Sequence, residues 1–270
     1  MKVSWTSGLI IFLVILEPQY RVISNSFAGS SEAKSHKILV ASASDLRSVL
    51  ETAIPLFVSA HPGVDVTAVY GSSGGFANQI KQGAPFDLFF SADRAYAQAL
   101  VSEQKTLLDR SYPYATGRLV VWVKNASVLN VDRDGLKALR SPHIHKIAIA
   151  NPDHAPYGRA AVDALKSTGI YEELKSKLVF GENISQAAQF AQSGAADAGI
   201  LAVALALSPA MKAEGRYSLV PESVHQPLSQ SAVIIKTTRE PKLARDFLEF
   251  MTGAEGMEIL SRFGFGKVHN

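Results

Sequence analysis

Val64-Asp65-Val66-Thr67-Ala68-Val69-Tyr70-Gly71-Ser72-Ser73-Gly74-Gly75-Phe76-Ala77-Asn78-Gln79-Ile80 is the stretch on which the fold turns. Val64, Val66, Ala68 and Tyr70 alternate with Asp65, Thr67 and Val69, which is mostly the period-two pattern of a strand. Gly71 and the Gly74-Gly75 pair let the backbone turn sharply, with no Cβ in the way. Phe76, Ala77 and Ile80 then fall at helical spacing. The first amides of a helix lack internal partners, and the dipole there favours negative charge. Ser72 and Ser73 add hydroxyls at that point, so the corner is suited to holding an anion. It also has the form of a corner that attacks an ester.

The rest of the chain bounds the choice. With 270 residues and a hydrophobic fraction of 47%, it can build one large domain or two small lobes. The formal net charge of +3 is not gathered into a Lys/Arg run, so nothing points to nucleic acid. There is no cysteine, hence no disulfide framework and no lipoprotein anchor. Met1-Lys2, the apolar run Leu9–Leu16 and Ser26-Phe27-Ala28 read as a secretory signal peptide over residues 1–28, cut after Ala28. No later apolar run is long enough to cross a bilayer. The expected location is the periplasm.

Strands and helices alternate along the mature chain. Strands are expected at Lys37–Ser42, Phe86–Ser91, Leu119–Val123, Lys146–Ala150, Leu178–Phe180, Ala198–Val203 and Ser231–Lys236. Helices are expected from Ser44-Asp45 to about Ala60, from Phe76 to Gly83, and over Arg94–Glu103, Pro156–Lys166, Ser185–Gln192, Pro241–Met251 and Ala254–Phe263 (boundaries good to about two to four residues). Pro55 should kink or split the first helix. Tyr112–Thr116 reads as a connection. This grammar predicts an α/β protein with mostly parallel sheets flanked by helices. Gly71…Gly83…Asp87 and Gly181…Gly194…Asp197 repeat one turn–helix–stop–strand unit, which argues for two lobes of like topology.

Gly71-Ser72-Ser73-Gly74-Gly75 matches the G-x-S-x-G nucleophile elbow in its strand–turn–helix setting. A hydrolase built on Ser73 would draw an acid and a histidine from Asp197, Asp246, His225 and His269. None of these lies in a recognisable loop after a strand, and no His-Gly-Gly run supplies an oxyanion hole. The anion reading needs fewer coincidences. Ala43-Ser44-Asp45 is a second hydroxyl-bearing corner, and parallel strands bring both corners to one end of a sheet. From the other half, Tyr157 offers a phenol or an amide, and Ile184 only its backbone N–H. No Arg or Lys lies in these four corners, so neutral dipoles would do the binding. His143-x-His145 has no acidic or third partner and reads as surface histidines rather than a metal site. Arg47, Lys81 and Arg94 read as solvated helix faces.

Laid out together, these residues resemble the molybdate-binding periplasmic proteins that serve ATP-driven importers. The resemblance rests on Ala43-Ser44, on Tyr70–Gly75 with Gln79-Ile80, and on Gly83-Ala-Pro-Phe-Asp-Leu-Phe-Phe-Ser-Ala-Asp93. Asn151-Pro152…Ala155-Pro156-Tyr157-Gly158, Ser193–Asp197 and Gly253…Gly264-Phe265 extend it over nearly the whole mature chain. It implies a two-lobed type II periplasmic binding fold, with residues 36–114 plus 230–270 as lobe I and 115–229 as lobe II. It further implies molybdate or tungstate held in the cleft by Ser44, Asp45, Ser73, Tyr157 and Ile184, with no cofactor, no direct metal-ion ligand and no catalysis. The family tyrosine that follows the second-lobe Asp is replaced here by Ala202, as in the branch that carries Tyr in its Ala-Pro-Tyr-Gly loop. The implied partners are the permease and ATPase subunits of an importer, with the binding protein itself a monomer. Sulfate or phosphate is the alternative ligand. Molybdate, tungstate and sulfate carry no proton at neutral pH and take donors only, whereas phosphate keeps a proton. Asp45 is therefore expected to cap its helix, with its N–H rather than its carboxylate facing the anion.

Overall fold

The computed structural model describes residues 36–268; the signal peptide expected over residues 1–28 and His269 lie outside them. The chain begins with β1 (His36–Ala43), a 3-10 turn at Ser44–Leu46, α1 (Arg47–Ala60), β2 (Val64–Gly71), α2 (Ser73–Lys81), β3 (Leu88–Ser91), α3 (Arg94–Ser102) and β4 (Tyr112–Gly117). It continues with β5 (Leu119–Lys124), α4 (Val131–Asp134), β6 (Ile147–Ala150), α5 (Pro156–Ser167), α6 (Tyr171–Leu174), β7 (Leu178–Gly181), α7 (Ile184–Ser193), β8 (Ala198–Ala202), α8 (Val203–Ala206), α9 (Pro209–Glu214) and β9 (Gly215–Leu219). It closes with β10 (Leu228–Ile234), α10 (Pro241–Thr252) and α11 (Ala254–Arg262).

Two five-stranded sheets result, ordered β2-β1-β3-β10-β4 and β7-β6-β8-β5-β9. The two orders are the same pattern. In each, a β–α–β unit brackets the preceding strand on both sides, then comes one reversed strand, then an edge strand. β10 and β5 run antiparallel to both of their neighbours, so each sheet is mixed, with a single strand against the direction of the rest. The turn–helix–stop repeat read from the sequence maps onto this duplication. Asp87 N–H donates to Leu39 O, and Asp197 N–H donates to Lys146 O, at equivalent places in the two sheets.

Why the middle of β1 and most of β3 are apolar is visible in their packing. Ile38, Val40 and Phe90 pack with Leu46, Val49, Phe57 and Phe247, under α1 and α10. Ala41 and Phe89 pack on the other face with Phe76, Ile80 and Leu100, under α2 and α3. A strand covered on both faces has no polar side to show. Phe247 meets Phe57 edge-on at 5.0 Å between ring centroids, and its truncation to Ala would cost about 3–5 kcal/mol.

Three expectations need correction, and one strand is unexpected. Tyr112–Thr116 is a strand, not a connection; it is β4, at the sheet edge, where Pro113 need not donate to a further strand. β9 gave no expectation at all, because Gly-Arg-Tyr-Ser-Leu carries neither alternation nor a buried run. Pro55 does not split α1, which runs unbroken past it. Pro55 and Glu51 lie on the exposed side, so water can take over the carbonyl that Pro55 leaves without a donor. Finally, Ser44 and Asp45 do not cap a helix: with Leu46 they form the 3-10 turn, Ala43 stands at the N-cap of that turn and Leu46 at the N-cap of α1, and no side-chain cap bond is made.

Candidate functional site

The two sheets face each other across a small cavity with about 190 Å³ of atom-free space, lined by Ala43, Ser44, Asp45, Gly71, Ser72, Ser73, Ala92, Ala155, Pro156, Tyr157 and Ile184. Ser44, Asp45, Ser73, Tyr157 and Ile184 are thus brought together, though they come from four separate segments. Each follows the carboxyl end of a parallel strand: β1, β2, β6 and β7 respectively. A wider groove with about 950 Å³ of atom-free space opens beside the cavity past Ala92, Asp93 and Arg159, and it too meets helix starts, at Asp93 before α3 and at Pro156 on α5.

Three helices begin at the cavity wall. Ser73 opens α2, the Pro156-Tyr157 pair opens α5, and Ile184 opens α7. Ser72 and Asn183 cap two of them: Ser72 Oγ accepts from Gly75 N, and Asn183 Oδ1 accepts from the N–H groups of Ser185 and Gln186. Pro156 serves the third, having no N–H to satisfy. First-turn amides claimed neither by these caps nor by the carbonyls of Ala155 and His154 remain available to a ligand at the cavity wall. The Ser73 hydroxyl adds to them. Its Oγ accepts from Ala92 N–H at 2.9 Å, which leaves its proton to be donated elsewhere. The lining has no Lys, Arg or His, so what it offers an anion is oriented dipoles and hydroxyls.

Asp45 is the one charged residue of the lining. It is fully buried. Its Oδ2 accepts from Tyr157 OH at 2.8 Å and from Gln230 Nε2 at 2.6 Å, while Oδ1 has no partner. The carboxylate is therefore bonded to Tyr157 and Gln230 at the cavity wall rather than capping a helix, contrary to the expectation. Burial pushes its pKa up, and the bonds from Gln230 and Tyr157 only partly offset this. Burial, reinforced by the Asp45 charge, pushes the Tyr157 and Tyr114 phenols well up as well. Gln230 is held in turn by Tyr114, whose hydroxyl donates to Gln230 Oε1 at 2.7 Å. Gly117 makes the arrangement possible, since a Cβ there would collide with the Tyr157 hydroxyl and reach within 2.8 Å of Gln230 Nε2. Gln230, Tyr114 and Gly117 gave no sequence signal; they lie in strands far from the four corners in the chain.

The cleft is closed by contacts between its walls. Ser44 Oγ donates to Asn183 Oδ1 at 3.1 Å, and Ser185 Oγ donates to Ser44 O at 3.0 Å. Gly74 N–H donates to His154 O at 2.9 Å, and the His154 ring lies 2.8 Å from Ser72 Oγ. Outside these, Arg159 pairs with Asp93 at 2.6 Å and reaches Tyr96 OH at 2.9 Å.

Among the described residues, the groups considered for a hydrolase are engaged elsewhere. Asp197 accepts from the N–H groups of His145 and Lys146, Asp246 pairs with Lys242, and the His225 ring meets Gln226 O. The histidine nearest the elbow, His154, bonds Ser72 rather than Ser73. Among the described residues no cluster of three or more His, Asp or Glu could hold a metal ion.

Known proteins agree with this geometry. Residues 38–266 match the family described as bacterial extracellular solute-binding protein. The chain is 38% identical over 203 residues to the molybdate-binding protein ModA of Rhodobacter capsulatus, spanning 75% of this chain and 78% of that one. It is 35% identical over 204 residues to the ModA of Azotobacter vinelandii, spanning 76% and 80%. The solved periplasmic molybdate-binding protein of Azotobacter vinelandii superposes with a TM-score of 0.80 at 32% identity, over 86% of this chain and 100% of that chain. The duplicated sheets, the cleft between them and the family match across both place this chain in the bacterial extracellular solute-binding protein family, beside its molybdate-binding members.

Proposed function

We propose that this protein captures molybdate, and tungstate with it, in the cleft between its two sheets and hands it to the permease and ATPase subunits of an importer. It is not an enzyme. The observation that carries the reading is the convergence of three helix N-termini and the Ser73 hydroxyl on one cavity without a cation. Such a site holds a small anion through hydrogen bonds and dipoles, and so selects by size and proton count rather than by bulk charge. The relatives named for molybdate support the choice of ligand.

In this reading Ser73 donates its hydroxyl, Ser44 turns its own from Asn183 Oδ1 to the anion, Tyr157 and Ile184 donate backbone N–H groups from the starts of α5 and α7, and Asp45 closes the back of the site. The lobes are residues 36–114 with 230–270, and residues 115–229, opening and closing as rigid bodies. The protein works as a monomer in the periplasm, released from residues 1–28. One observation favours a second reading. The Asp45 carboxylate would welcome an oxyanion that brings its own proton, such as phosphate.

A thermal-shift panel on residues 29–270 tests the reading with molybdate, tungstate, sulfate and phosphate. Ligand at 100 times Kd should add about 2.7 kcal/mol of stability. Molybdate and tungstate are expected to raise Tm, with sulfate and phosphate having little effect. A shift with phosphate or sulfate alone would overturn the ligand assignment.

A further inference from the structure

Resting on the oxyanion reading above, we propose that Asp45 occupies the loaded cleft as a neutral carboxylic acid, so that each dianion bound brings one proton in from solvent. Asp45 lines the cavity and is fully buried, and none of its neighbours in the lining carries a charge. Oδ2 is committed to two donors, Tyr157 OH and Gln230 Nε2. Oδ1 is buried and has nothing to bond. Ionised, this side chain would put a negative charge in the same small space as a doubly negative ligand, with no cation between them. Each charge would then disfavour the other strongly, because the site is buried and its lining supplies no cation to offset them.

A proton on Oδ1 removes the conflict. It cancels the carboxylate charge, turns an oxygen with no partner into a donor, and gives the ligand one more hydrogen bond. The balance is simple: carboxylate, solvent proton and dianion become carboxylic acid and bound dianion, with no covalent bond to the ligand made or broken. Burial already raises the pKa of Asp45 without any ligand, and an adjacent dianion would raise it further. The titratable groups facing Asp45 are the phenols of Tyr157 on α5 and Tyr114 on β4, both pushed well above their ordinary range. From the other elements come uncharged groups: Gln230 on β10, Ser73 on α2, and Ile184 on α7. Arg47, next along on α1, is turned outward over the Tyr70 ring and lies near Glu51. His154 bonds Ser72 at the rim, with the Glu182 carboxylate 3.5 Å from its ring on the outer side.

The sign follows from the raised pKa. A group that binds its proton more tightly in the complex favours complex formation at low pH, and affinity falls as pH rises. The fall approaches tenfold per pH unit between the carboxyl's pKa in the open protein and its pKa in the complex.

The test is calorimetry of molybdate binding to residues 29–270 from pH 5.5 to 8.5, in buffers of differing ionisation enthalpy, which counts protons directly. Wild type should take up close to one proton per anion, with Kd rising toward tenfold per pH unit. Asp45→Asn, which puts an amide donor in place of the acid, should bind molybdate with no proton uptake linked to this site and a flat pH profile. His154→Gln should keep the wild-type uptake whatever its affinity. Zero uptake and a flat profile in wild type, or uptake that persists in Asp45→Asn, would overturn the proposal. Tight phosphate binding without proton uptake would also overturn it, since the proton would then belong to the ligand. If neither wild type nor Asp45→Asn binds molybdate at any pH, the oxyanion reading itself has failed; binding without uptake removes only the proton.

Discussion

Replacing Ser73 by Ala removes one hydroxyl donor from the cleft, and its effects on ligand binding and on stability can be measured apart. Ser73 Oγ accepts from Ala92 N–H at 2.9 Å, and this contact fixes the hydroxyl so that its proton points away from Ala92. In the loaded cleft that proton serves the anion. A hydrogen bond to a charged group contributes about 1.5–3 kcal/mol. At about 1.4 kcal/mol per tenfold, Ser73→Ala should raise the Kd for molybdate by roughly 10- to 150-fold. The same change leaves the Ala92 amide without its acceptor, which costs the ligand-free closed form about 1–3 kcal/mol unless water replaces the hydroxyl. Ser72→Ala makes the comparison. Ser72 Oγ is taken up by Gly75 N–H and the His154 ring, so its loss acts on the α2 cap, worth about 1 kcal/mol, and on closure. Titration calorimetry gives both affinities, and thermal melts without ligand give both stabilities. If Ser73→Ala binds molybdate within twofold of wild type, or if Ser72→Ala loses more affinity than Ser73→Ala, the donor role assigned to Ser73 is wrong.

Gly158→Ala should lower Tm and blunt the molybdate-induced shift together. The added Cβ would strike Ala150 O and come within 2.9 Å of the Asn151 carbonyl carbon, all of it backbone, so α5 and Tyr157 must move at a cost of about 1–3 kcal/mol; an unchanged melt refutes the close approach. Arg159→Ala should leave Tm nearly unchanged and speed ligand release up to about fivefold, because the Arg159–Asp93 pair is partly exposed and worth at most about 1 kcal/mol. Stopped-flow dissociation measures this, and an unaltered off-rate would show that the pair does not hold the closed form. Asp197 tests the pH dependence of the fold. Its slight burial pushes its pKa up, but the N–H groups of Lys146 and His145 and the charges nearby prevail and hold it below the usual range. A depressed folded pKa contributes stability above the unfolded value, near 3.9, and loses it as pH falls through the folded value. Asp197→Asn should therefore melt below wild type at pH 7, with the gap closing in acid; a gap that persists at pH 2 would show that the charge is not its source.

Much of this protein was legible along the chain because the information is local. Gly71 followed by two serines and a helical run can only be a strand, a corner and a helix N-terminus, whatever lies elsewhere. The same holds for Ala43-Ser44, for Ala155-Pro156-Tyr157 and for the turn before Ile184. Parallel β–α–β units then bring such corners to one end of a sheet, so five residues from four segments could be expected around one cavity. The matched spacings from Gly71 to Asp87 and from Gly181 to Asp197 carried the duplication in the same local way.

Tertiary structure decided what depends on pairing across the chain. β4 and β9 become strands because an edge of a sheet is offered to them, and their own sequences give little preference. β10 and β5 run backwards because each returns from the other sheet, which no local pattern records. Asp45 is the sharpest case. By itself, an Asp after a strand and before a helix reads as a cap, since capping needs only the next three residues. In the fold, Tyr157 lies 112 residues away and Gln230 185 residues away, and both turn their donors onto its carboxylate. Those two bonds, and the burial that comes with them, make Asp45 part of the wall of the cleft. Its chemistry is set by Gln230, which strand pairing within its own sheet brings close, and by Tyr157, which only the closed arrangement of both sheets brings within reach.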